Sequence, residues 1–242
     1  MNFTAEETWR GGHYEIEFEL GVPSDERLRR ALQRIWSHPS VKGACFSRDQ
    51  EPQAQVRVNL NEHTLDGLLY GLATLPNGAT AACGTYVCRL QGEDGALTRD
   101  FLSFYVPMGA LAVAYGISGD WLDRARRTEQ AVFNTERTLR RAELASGQAE
   151  SVETEKSARW RTELDRWLVE IGRSVFESVQ FDLALVGWEV DFPRVSAANV
   201  KRDGIPAERF EGYLWRDSAG LQWYPPTNLP IVRVAGEAKG AQ

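Results

Sequence analysis

The chain has 242 residues, of which 43% are hydrophobic, 10% aromatic and 26% charged. That much apolar material excludes wholesale disorder, and the length suits one large domain or two small ones. With 28 Lys and Arg against 34 Asp and Glu, the net charge of −6 argues against a surface built throughout for nucleic acid, which needs clustered cations.

The first ten residues hold Glu6, Glu7 and Arg10 and no apolar leader segment, so no secretory signal is expected. Residues 13–20 alternate strictly. Tyr14, Ile16, Phe18 and Leu20 fall on one face of a strand, and Glu15, Glu17 and Glu19 on the other, where an acidic row is expected to meet water. Pro23-Ser24-Asp25-Glu26 is a helix start with acids in the first turn. Leu28, Ala31, Leu32, Ile35 and Trp36 then keep helical spacing over 25–37, until His38-Pro39 ends the helix. Residues 41–46 predict a strand, and Val56, Val58 and Leu60 alternate as another.

Segments 68–75, 79–90 and 96–106 read as three strands. Pro76-Asn77-Gly78 and Gly92-Glu93-Asp94-Gly95 join them as hairpins, so this part of the sheet is antiparallel. Residues 109–115 read as a small apolar helix or a buried turn. The longest apolar run, 108–117, is about half the ~20 residues of a membrane span, so a cytoplasmic protein is expected. Two long helices over 119–145 and 152–179 predict an antiparallel hairpin, the second with Trp160, Leu164, Trp167, Ile171 and Val175 on one face. The strongest strand, 181–192, is apolar on both faces in its first half and belongs in the middle of the sheet. Residues 193–208 read as loop, and 211–215 with 221–224 as a last hairpin. The expected fold is α+β: a mostly antiparallel sheet of about six to eight strands with flanking helices and a long antiparallel helical hairpin. It forms one domain, 1–242, with 119–179 inserted, because strand 181–192 must rejoin a sheet begun earlier.

Motifs that would fix a reaction are missing. No Gly-rich phosphate loop and no G-x-S-x-G elbow occurs. His13, His38 and His63 lack ligand spacing. Three cysteines give no disulfide framework, and the spacing of Cys83 and Cys88 puts them on opposite faces of a strand, as buried apolar thiols. No cofactor or metal is expected.

Three sets of residues carry functional expectations. Glu15, Glu17 and Glu19 form an acidic face that would steer a basic protein partner, with Trp215, Trp223 and Tyr224 as an aromatic recognition patch. On these the chain reads as a non-catalytic protein-binding module. It has the general character of immunity- or antitoxin-like inhibitors of bacterial conflict systems, a likeness of class rather than of family. Glu189 and Asp191 lie two apart on one strand face, ~7 Å from each other, and could hold a metal or act as acid and base; the simpler reading is a strand end facing water. Arg124, Arg126, Arg127, Arg137, Arg140 and Arg141 make a basic stripe that would suit a nucleic-acid-associated factor, or an exposed helix with internal ion pairs.

Overall fold

The structure is a computed structural model that describes residues 2–62, 65, 67–117, 151–190 and 195–228, with the backbone alone over 151–159. Among the described residues, eight strands form a single antiparallel sheet. In chain order they are β1 (His13–Gly21), β2 (Val41–Cys45), β3 (Leu68–Thr74), β4 (Thr80–Gln91), β5 (Leu97–Pro107), β6 (Leu183–Trp188), β7 (Gly212–Asp217) and β8 (Gly220–Tyr224). In space the order is β2-β3-β4-β5-β1-β6-β7-β8. The α-helices among the described residues are α1 (Asp25–Trp36), α2 (Met108–Tyr115), α3 (Ser151–Ser178) and α4 (Ala197–Asp203).

Local chemistry explains most boundaries. Ser24 caps α1 by accepting the Arg27 N–H at 3.3 Å, with Asp25 and Glu26 in the first turn. The same N-terminus is tied to the sheet. Asp100 on β5 accepts the Ser24 N–H at 2.7 Å, and Arg89 on β4 bridges Asp100 at 2.8 Å and Asp25 at 2.6 Å. At the other end, Arg34 donates to the Ser174 carbonyl at 3.0 Å and Arg30 to that of Ser178, so α1 supplies cations to the closing turn of α3.

The inner face of the sheet carries Tyr14, Ile16 and Phe18 on β1, all buried, under α1 and α3. Rings meet edge to face there: Phe18 with Phe181 at 5.2 Å, and Phe104 with Trp167 at 5.8 Å. Helix α3 comes so close that a Cβ on Gly172 would stand 2.7 Å from Leu214 Cδ2 and 2.8 Å from Ile16 Cδ1. The predicted strands of the meander, α1, α2 and the terminal hairpin all form, in an α+β fold.

Four expectations are corrected. No strand forms at Val56, Val58 and Leu60. Val56 is 89% exposed, and the segment meets the sheet through the Val58 N–H on the Ala44 carbonyl at 2.9 Å, with Val58 and Leu60 packed against the core. The 193–208 loop contains α4, which Ser196 caps by accepting the Asn199 N–H at 3.3 Å. Strand β6 stops at Trp188, because Glu189 takes φ +42° and turns the chain out of the ladder. Cys88 is exposed; Cys83 is buried on the opposite face, as the spacing requires. Of the helical hairpin, the second arm is the 28-residue α3. The first arm, with its arginine stripe, lies outside the described residues.

Candidate functional site

The acidic row on β1 does not face water. Glu15 is 2% exposed, and Glu17 and Glu19 are 6% each. The physical reason lies across the sheet. Glu15 pairs in register with Gly187 of β6. After Glu189 reverses the chain, Val190 folds back over Gly187, where a Cβ would meet Val190 Cγ1 at 3.2 Å. Val190 N–H bonds to the Glu15 carboxyl, and Tyr86 Oη donates to Glu15 Oε2 at 3.1 Å. Four residues along, Glu19 is covered by α4. Its Oε2 accepts the Ala197 N–H at 2.6 Å, an anion at a helix start, and Arg99 Nη1 lies 2.7 Å from its Oε1.

This outer face is therefore a second, mixed core. Phe101, Leu183, Leu185, Val190, Ala197, Val200 and Tyr213 form its apolar part. The register sets Tyr86, Ser103 and Glu17 side by side on β4, β5 and β1, and Tyr105 beside Glu15. Burial first, and then the neighbouring Glu17 charge, hold the Glu15 carboxyl well above the usual carboxylate range. Burial also raises the Tyr86 and Tyr105 hydroxyls. His13 stacks on Tyr105 with ring centroids 4.2 Å apart, and burial lowers its pKa.

The other predicted sites are placed as follows. Glu189 is exposed at the end of β6; Asp191 lies outside the described residues, as do His63 and the six arginines. His38 sits at the end of α1, as expected, with Nδ1 2.7 Å from Ser40 Oγ, but burial favours its neutral form over the dipole-stabilised cation. Among the described residues no cluster of three His, Cys, Asp or Glu side chains is gathered for a metal ion, and no helix is long and apolar enough to cross a membrane.

A buried polar network that the sequence did not signal crosses the inner core. Tyr14 Oη donates to Asp165 Oδ1 and accepts from Arg161 Nε at 2.7 Å, while Arg161 Nη2 donates to the Phe210 carbonyl. Asp165 is 5% and Arg161 6% exposed. Burial pushes the Asp165 carboxyl up to about 6, against the opposing pull of Arg161 and Tyr14. Arg161 and Asp165 stand one turn apart on α3, a spacing the sequence reads as a surface ion pair. Only the tyrosine on β1 makes it an internal clamp.

Two shallow depressions are open to solvent. One of about 250 Å³ is lined by Trp9, Arg10, Arg48, Glu6, Asp49 and Thr4. Another of about 200 Å³ lies between α1 and the end of α3. Neither contains a predicted site residue.

Besides exposed Glu189, the terminal hairpin also reaches the surface. Trp215, Leu221, Trp223 and Tyr224 are all half-buried. Trp223 and Leu221 join the inner core from its edge, with the Trp223 ring lying over Gly212. Trp215 and Tyr224 join the outer one. The aromatic patch is thus split between the two faces of one sheet edge.

Compared with known protein families, with curated proteins and with solved structures, the chain matches none.

Proposed function

We propose that the protein is a non-catalytic protein-binding module and that the β7–β8 hairpin is its binding element. One observation carries this: among the described residues β8 is the last strand of the sheet, and its uncharged residues Leu221, Gln222, Trp223 and Tyr224 stay half-exposed on both faces. Aromatic side chains that keep part of their area in water are the usual anchors of protein interfaces. A free strand edge adds backbone donors and acceptors that another chain can complete. The acidic row on β1 is spent on internal partners, so steering by Glu15, Glu17 and Glu19 is no longer part of the reading.

The test is a photoreactive residue placed at position 222, and at position 93 in the exposed β4–β5 turn as a control, in the intact chain inside the source cell. The reading expects a discrete adduct from 222 and none from 93. Equal or absent adducts at the two positions would overturn it.

A further inference from the structure

The two edges of the sheet are built differently. The β2 edge carries exposed Lys42, a register shift between Gly43 and Cys45, and a loop residue, Val58, whose N–H takes the Ala44 carbonyl. A charge, an irregularity and a covering loop are the devices that keep a sheet edge from pairing with another chain. The β8 edge, Gly220–Tyr224, has no charged residue, no proline and no register shift. Its first interruption is Pro225-Pro226.

The register shows which backbone groups this edge offers. Arg216 N–H bonds to the Asp182 carbonyl on the β6 side at 3.0 Å. Leu214 and Arg216 therefore face β6, and Tyr213, Trp215 and Asp217 face β8. Their register partners Tyr224, Gln222 and Gly220 face back towards β7. Leu221 and Trp223 are left with N–H and C=O directed outwards. Beyond Tyr224 the chain runs on in line, since Thr227 and Asn228 N–H groups meet the Arg209 carbonyl at 2.9 and 3.0 Å and prolong the β7–β8 ladder. Among the described residues no strand pairs with the outer side of β8.

Two outward residues flanking a single inward one make a self-complementary edge. We infer that the occupant of the β8 edge is a second copy of this chain, paired antiparallel about a two-fold axis through Gln222. In that register Leu221 of one copy exchanges both backbone bonds with Trp223 of the other, and Trp223 with Leu221, four bonds in all. On the inner side leucine meets tryptophan twice, an aliphatic–aromatic cross-strand pair. On the outer side the two Gln222 amides face each other and bond reciprocally. No like charges are brought together, because the strand has none. The contact is short, so the dimer is weak and forms with rising concentration.

This inference rests on the hairpin being the binding element, and the test separates the two. Sedimentation of the full chain is followed from micromolar to millimolar concentration. The wild type is expected to rise from one chain mass towards two. Leu221→Pro deletes an outward donor that the β7–β8 ladder does not use, and Gln222→Lys sets two cations across the axis. Both variants are expected to melt as cooperatively as the wild type and to stay at one chain mass. Mixing Gln222→Lys with Gln222→Glu is expected to restore association at least tenfold over either alone. A wild type that stays at one chain mass throughout overturns the dimer, as does Leu221→Pro dimerising like the wild type. If position 222 then cross-links to a different protein, the binding-element reading stands and only the identity of the occupant falls. If it cross-links to nothing, both fall.

Discussion

Asp165→Asn isolates the buried clamp between β1 and α3. In the fold the carboxyl of Asp165 titrates near 6, against an ordinary 3.8, with burial as the leading cause. Between those values the folded chain holds a proton that the unfolded chain has released, so stability falls as pH rises through this window. At about 1.4 kcal/mol per pH unit, the fall amounts to ~3 kcal/mol, complete above about pH 6 and absent below about pH 3.8. Asparagine keeps an oxygen to accept from Tyr14 but cannot titrate, and it leaves Arg161 without its facing charge. That second effect acts only above about pH 6, where Asp165 is ionised, and the pull of Arg161 is already contained in that value. Urea unfolding followed by tryptophan fluorescence, in pH steps, gives both stability curves. The variant-minus-wild-type difference is expected to move in favour of the variant by ~3 kcal/mol from the acid to the neutral side. A difference that stays flat, or moves the other way, would refute the assignment of this titration to Asp165.

Glu15→Gln removes a carboxyl that the fold holds above its usual range by burial and by Glu17. Its raised value means stability is lost as pH rises above the ordinary glutamate range, so the variant should be the more stable near pH 7. Thermal unfolding should show a higher midpoint there, the gain shrinking in acid; no rise would mean that the carboxyl is better solvated than its surroundings indicate. Gly212→Ala places a methyl group into the Trp223 ring and should cost ~1–3 kcal/mol while shifting the tryptophan emission; an unchanged melt would show that the ring has room to move. A thiol reagent should find one reactive group in the native chain, Cys88, and all three after denaturation, since Cys45 and Cys83 are buried and burial raises the Cys83 thiol far above 9. Rapid native labelling of Cys83 would contradict its place under the sheet.

Most elements were legible because their signals are local. Alternation marked β1, a serine cap and two acids marked the start of α1, and glycine turns marked the meander. The fate of the face opposite the core was not legible. Period two says that Glu15, Glu17 and Glu19 share a side; whether that side meets water depends on Gly187, Val190 and Ala197, more than 160 residues away in the chain. Helix α4 could have been found from Ser196 followed by Ala-Ala-Asn-Val-Lys-Arg, but seven residues carry little periodicity. The Tyr14–Arg161–Asp165 clamp joins two elements that each look ordinary alone. The aromatic residues of the last hairpin were recognised, whereas their division between two faces follows from the strand register.

The placing of β1 between β5 and β6 has a consequence for biosynthesis. Translation delivers this strand before both of its flanking neighbours, which start at Leu97 and Leu183. At ~5–20 residues per second, β6 follows it out of the ribosome only after roughly ten to thirty seconds. Throughout that wait the three glutamates are hydrated and ionised, and their mutual repulsion guards an otherwise sticky Tyr-Ile-Phe-Leu stretch against premature clumping. Glu15, costly inside the finished protein, thus helps to protect the nascent one.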